Sequence, residues 1–287
     1  MKRTSATARG FAAVLLWAFL AFLTVKAAPV PPFQLSAMAF LVGGVVGLVW
    51  MRFTGQPYAR LWEIRTPVLL LGIGGLFGYH ALYFSALRIA PAAEAGLIAY
   101  LWPLLIVLFS GFLPGESPKA GHLAGAFLSF TGAALLILQG GGGFSLQYLP
   151  GYVLAGSCAL TWAAYSVLSR LAGTTPTHSV TLFCLAAAAL SLGAHILFEE
   201  TILPSAWTAW VSVAALGLGP VGLAFYLWDV GMKKGDIQTL GVAAYAAPLL
   251  STFILVATGI AHPSGVLAVS ALLITGGAAL AARASRR

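Results

Sequence analysis

The chain has 287 residues, 60% of them hydrophobic and only 8% charged, with a mean hydropathy of +0.95 and a net charge of +8. Soluble domains carry about 25% charged residues, so this chain lacks the polar surface to meet water on all sides. The bilayer is its expected solvent, and a water-soluble enzyme or nucleic-acid-binding domain is excluded.

Apolar stretches of roughly 20 residues, enough to cross about 30 Å of hydrocarbon, recur along the whole chain. Ten spans are predicted, at 11–28, 33–51, 67–87, 92–112, 121–139, 151–170, 179–198, 209–230, 239–259 and 264–282. The first follows Lys2, Arg3 and Arg9 and ends on Ala27-Ala28, a pattern shared with signal peptides. It is kept as a span because Trp17 inside it belongs to an internal repeat. Trp50 and Trp62 in the first half, and Trp207 and Trp210 in the second, sit at span ends and read as an interfacial belt.

The third span carries Gly72-Ile73-Gly74-Gly75, then Tyr79, His80 and Tyr83. Tyr79 and Tyr83 are four apart, on one helix face. His80 is an intramembrane ionisable group, a functional candidate by default; a neutral histidine bonded to a neighbouring helix is the alternative. In the fourth span, Glu94 is either a proton-coupling group or a solvated carboxylate at a helix start, which the dipole favours. Tyr100, Trp102 and Pro103 follow. Each mid-helix proline removes a backbone donor, so Pro103 frees the Ala99 carbonyl and Pro248 that of Ala244; a freed carbonyl must face a cavity, water or a partner.

Gly140-Gly141-Gly142-Gly143 reads as a linker, with no Gly-Lys-Ser/Thr after it to make a phosphate cradle. Two five-span halves are expected, 1–140 and 151–287, joined by 141–150. Beyond it lie Trp162 and Tyr165 in the sixth span and Gly217-Leu218-Gly219-Pro220 in the eighth. Cys158 and Cys184 show no CxxC or metal spacing, so neither metal nor cofactor is expected. His195, Glu199 and Glu200 read as the exposed outer end of the seventh span. Asp229 and Lys233, four apart, read as a surface ion pair at the end of the eighth. Tyr245 and Pro248 fall in the ninth.

These features repeat at one offset. Trp17 and Trp162 are 145 apart (162−17), as are Tyr100 and Tyr245, Pro103 and Pro248, Gly72 and Gly217, and the stretches Gly132-Ala133-Ala134-Leu135 and Gly277-Ala278-Ala279-Leu280. Five spans per half is odd, so the second half enters the membrane from the opposite side. The fold expected is all-α: ten transmembrane helices as two inverted five-helix repeats. With both termini in the cytoplasm, thirteen of the 15 Lys and Arg residues fall inside, leaving only Lys26 and Arg88 outside. That positive-inside bias predicts a multi-pass inner-membrane protein with cytoplasmic ends. Its basic residues are topology signals in contact with membrane lipid, with no nucleic-acid partner.

Paired interruptions, Gly75 with Pro220 and Pro103 with Pro248, point to a central binding site where helices break and gate. The aromatics inside spans, Trp17, Tyr79, Tyr83, Tyr100, Trp102, Trp162, Tyr165 and Tyr245, carry polar tips that want partners. About half of them are expected to line a cavity with His80, since only one stripe of each helix faces it. The rest pack between helices.

The stretch 81–104, from Ala81-Leu82-Tyr83-Phe84 through Glu94 to Tyr100-Leu101-Trp102-Pro103-Leu104, resembles the span 3–4 signature of EamA-type carriers in the drug/metabolite transporter superfamily. The resemblance implies a secondary transporter that exports amino acids or related metabolites through a central cavity. Residues 100–103 more narrowly resemble an aromatic amino acid exporter of that family. Drugs, organic cations or other small metabolites are the alternative cargo. No HExxH, paired intramembrane aspartates or nucleophile–base motif supports an enzyme, and no nucleotide-binding segment supports ATP-driven transport. The expected partner is a small-molecule substrate, an amino acid, handled by a monomer by rocking the two halves around a midplane site. His80 and Glu94 are the candidates for proton coupling, with uncoupled movement slightly preferred because buried carboxylates are scarce.

Overall fold

The computed structural model describes residues 1–139 and 143–286; of the glycine linker, only Gly143 lies within them. Ten helices are long and apolar enough to cross a membrane. They are α1 (Arg3–Ala27), α2 (Pro32–Phe53), α3 (Thr66–Ile89), α4 (Ala92–Ser110), α5 (Ala120–Leu138), α6 (Leu146–Leu171), α7 (Ser179–Phe198), α8 (Trp207–Lys234), α9 (Ile237–Ala257) and α10 (Gly265–Ser285). The described residues contain no strand. α6 starts inside the expected linker: Pro150 sits in the first turn of its α-helical part, where its missing N–H costs nothing.

The halves pack as related copies. α1 lies on α8 and α3 on α6, while α2 packs on its own counterpart α7 and α5 on its counterpart α10. The Ser129 hydroxyl donates to the Ile274 carbonyl (3.3 Å), a pair 145 residues apart, so a pseudo-two-fold axis passes between α5 and α10. Gly125, Gly132 and Gly277 let those two helices approach backbone to backbone.

The breaks also come in pairs. α3 contains a π-helical turn at Gly74–Gly78 and α8 one at Gly219–Leu223, the same offset again. α4 breaks at Tyr100-Leu101 and α9 at Ala244-Tyr245. α1 is also interrupted, at Ala18-Phe19, where the sequence carries no breaker. One expectation is corrected: Pro248 does not leave the Ala244 carbonyl free, because the Ala247 N–H donates to it at 3.0 Å in a tightened turn.

Two polar groups are more buried than the sequence implied. Asp229 and Lys233 do pair (2.8 Å), but inside the protein, with side chains only 1% and 3% exposed. Thr177 donates to the Asp229 carboxylate and Lys233 to the Thr175 carbonyl, pinning the α6–α7 loop to α8. Similarly, His195 and the Glu199 side chain are buried, and only Glu200 is exposed. The Glu199 carboxylate accepts from the Phe33 and Gln34 N–H groups (3.0 Å each), the unsatisfied donors at the start of α2, where the helix dipole favours an anion.

Candidate functional site

Where α3, α4, α8 and α9 break, the chain leaves a cavity of about 80 Å³ between the halves. Seven of the residues predicted from sequence line it: Trp17, Tyr79, His80, Tyr100, Trp102, Trp162 and Pro220. Leu20, Val221, Phe225 and Ala247 complete the wall. Trp17 meets Trp162 edge-on at 5.8 Å and His80 meets Phe225 at 6.4 Å; both pairs are 145 apart (162−17, 225−80). Trp102 and Ala247 form a third such pair (247−102) on the same wall. Positions related by the axis face one another only where the axis passes, so the cavity lies on it.

The π turns supply its polar framework. The Trp17 indole N–H donates to the Pro220 carbonyl (3.0 Å), tying α1 to the broken turn of α8. His80 Nδ1 lies 2.7 Å from the Leu76 carbonyl, one turn back in α3. A carbonyl only accepts, so Nδ1 carries hydrogen and Nε2 of the neutral ring keeps a lone pair. His80 therefore bonds within its own helix, not to a neighbour. Tyr79 stacks on Tyr83 (6.1 Å) and tilts against Trp162 (5.4 Å).

Three predicted liners lie elsewhere. Tyr83 sits behind Tyr79, away from the wall. Tyr165 is buried against Gly75, in the α3 break. Tyr245 is fully buried, and its hydroxyl accepts from the Leu104 N–H (3.2 Å), capping the broken backbone of α4. Tyr245→Phe is accordingly expected to lower stability by about 1–3 kcal/mol, the cost of an unsatisfied buried donor. A lower melting midpoint with unaltered substrate preference would show this; a change in preference at constant stability would return Tyr245 to the cavity. Glu94 is neither a liner nor solvated: it is 2% exposed, and its Oε1 accepts from the Gly143 N–H (2.9 Å). Of the missed liners, Phe225 and Ala247 could have been found by carrying His80 and Trp102 across the offset. Leu20 is likewise the counterpart of Tyr165 (165−20=145), whereas Val221 has no sequence signal.

The two ends of the cavity differ. Beyond the break in α3, Tyr79–Ile89 buries only Ala86, whereas its counterpart in α8, Ala224–Lys234, buries eight residues including Trp228 and Met232. Likewise, Ala246–Ala257 of α9 buries only Ala247 and Pro248, while Trp102–Ser110 of α4 buries six. Related segments would be equally buried in a symmetric molecule. The structure is thus closed on the side carrying the termini and loose on the other.

A polar cluster caps the closed side. Glu116, between α4 and α5, accepts from Arg3 of α1 (3.3 Å), Gln238 of α9 (3.0 Å) and Arg170 of α6. Arg170 also donates to the Met232 and Gly235 carbonyls (2.7 and 3.0 Å). Burial alone would raise the Asp236 carboxyl, but the Thr239 N–H, Ser285 and Arg3 outweigh it and hold the group below the usual range. A wider cavity of about 480 Å³ lies among these side chains. Its Arg3, Glu116 and Asp236 already pair with one another, Lys119 donates to the Ala284 carbonyl, and none of the helix breaks lines it, so the central cavity is the better candidate for transport.

An inverted pair of five-helix repeats closing around a cavity of broken helices defines a secondary-transporter architecture. The model of the EamA-like transporter family matches the chain twice, over residues 6–138 and 149–283, and the chain belongs to that family. It is 53% identical to the aromatic amino acid exporter YddG of Ancylobacter novellus over the whole of both chains. It is 24% identical, again end to end, to the exporter of the same name from Escherichia coli. A crystal structure 53% identical in sequence superposes with a TM-score of 0.96, covering 100% of this chain and 99% of that one.

Proposed function

We propose that this protein exports amino acids, aromatic ones among them, across the inner membrane by alternating access around the central cavity. The observation that carries the reading is the aromatic cage on the pseudo-two-fold axis, which contains no Asp, Glu, Lys or Arg among the described residues. A zwitterion needs donors for its carboxylate and a soft partner for its ammonium. Tyr79 and Tyr100 supply hydroxyl donors, and the His80 Nε2 lone pair and the faces of Trp17, Trp102 and Trp162 receive the ammonium. Cation–π contact contributes about 2 kcal/mol when desolvated. At about 80 Å³ the cavity is smaller than the roughly 300 Å³ of ordinary ligand pockets, so substrate entry requires the halves to spread. The name of the Ancylobacter relative supports the aromatic preference.

Thirteen basic residues against two support cytoplasmic termini, and on that reading the closed side faces inward. The halves 1–140 and 151–287 rock as units, with Gly75, Pro103, Pro220 and Pro248 at the bends. Movement is uncoupled from protons, since Glu94 lies outside the cavity and, among the described residues, no carboxylate lines it; His80 is the group through which a pH gradient would reveal coupling.

Counterflow of labelled tryptophan and phenylalanine in proteoliposomes, with and without a pH gradient, tests the proposal. Wild type is expected to exchange both without need of the gradient, and His80→Ala and Trp102→Ala to lose at least tenfold, about 1.4 kcal/mol. If sugars or lipophilic cations exchange and amino acids do not, the proposal is wrong. Wild-type rates in both variants would reduce His80 and Trp102 to packing residues.

A further inference from the structure

The cavity is symmetric in backbone and asymmetric in bulk. Trp102 presents an indole packed edge-on to Trp17 (6.0 Å), Trp162 (6.3 Å) and the buried Trp228 (5.8 Å). The related position, 145 residues on, holds a methyl group, Ala247. Both side chains line the cavity. An aromatic side chain buries roughly 150–250 Å², so the second wall lacks a whole ring that the first one has.

The backbone beneath Ala247 is committed in this conformation. Its N–H is spent on the Ala244 carbonyl (3.0 Å), Pro248 follows directly, and both residues are buried. Any side chain larger than methyl must therefore fill the cavity or strain the turn. The space beside Ala247 is bounded by aromatic and apolar groups, with the polar groups of Tyr79, His80 and Tyr100 all contributed by the other half of the chain. The hydroxyl and imidazole groups thus come from the first repeat, and the unfilled apolar wall from the second, beside the indole of Trp162.

Resting on the amino-acid reading above, we propose that Ala247 determines substrate size. It forms the wall of a subsite that receives the substrate's bulky apolar side chain, in the place where perfect symmetry would put a second indole. The zwitterionic end then lies toward Tyr79, His80 and Tyr100.

The test is counterflow of tryptophan and of threonine, each in proteoliposomes of wild type, Ala247→Val, Ala247→Leu and Ala247→Trp, with elution and melting midpoint recorded for every variant. The tryptophan-to-threonine rate ratio is expected to fall in the order Val, Leu, Trp, by at least tenfold at Leu. Valine, two methyl groups larger than alanine, keeps the test available if the larger variants do not fold. A ratio that stays constant while the folded variants remain active overturns the inference alone, as does a parallel loss of both substrates, which marks a structural role. A wild type that exchanges no amino acid overturns both the inference and the reading beneath it.

Discussion

Exchanging Glu116 for alanine is expected to open the closed side of the carrier. One carboxylate, 8% exposed, holds donors from α1, α6 and α9, three helices that also line the central cavity. Arg170, 17% exposed, would lose its ionic partner while still fixed to the Met232 and Gly235 carbonyls at the end of α8. Removing one member of a buried pair costs about 3–5 kcal/mol. The related position, 116+145, is Ala261, so the second repeat carries no counterpart of this carboxylate; the opposite end is tied instead by Glu199 to Arg88 and the start of α2. The cost therefore falls on the state closed at the side of the termini, and the equilibrium moves toward the one open there. A single cysteine at Leu240, fully buried beside Gly10 on the closed side, reports this in a background lacking Cys158 and Cys184. Labelling from the side of the termini by a membrane-impermeant maleimide should rise severalfold in Glu116→Ala. Glu116→Gln, which keeps the hydrogen bond from Gln238 within reach, should fall between. Unchanged labelling in both would reduce the cluster to a static staple.

Asp229→Ala should be the most destabilising single change in the membrane-embedded part. It leaves the Lys233 ammonium, 3% exposed, with only the Thr175 carbonyl, and frees Thr177 as well. Breaking such a pair costs about 3–5 kcal/mol, whereas replacing both partners with apolar groups is often neutral. The melting midpoint in detergent should drop sharply for Asp229→Ala and recover in Asp229→Leu/Lys233→Met. A midpoint unmoved by the single change would show that the pair is hydrated in solution and not buried.

The comparison of sequence with structure turns on particular residues. Pro103 and Pro248, Gly74 and Gly219, and Trp17 and Trp162 were legible because duplication preserves them and because breakers act locally, through a missing N–H or Cβ. The cavity's position on the axis follows from those pairs. Tyr165 and Tyr245 were misplaced for physical reasons: the Tyr245 hydroxyl finds its partner in the broken backbone of α4, which serves as well as a substrate does, and the Tyr165 ring fills the space that Gly75 leaves in α3. Glu199 and Asp229 looked like surface charges because hydropathy ends at the helix end, while burial depends on which neighbour covers it.

Hydropathy, charge asymmetry and a single offset were sufficient for ten spans, two inverted halves and the residues around the breaks, since each is a one-dimensional pattern imposed by bilayer thickness and gene duplication. Tertiary packing alone decided that Tyr245 does not face the cavity, and that Glu116 gathers three helices. It also decided that one end is closed. Two halves with the same local preferences settle into different burial because burial depends on which neighbours cover each segment, and no local property of either repeat records which end was packed.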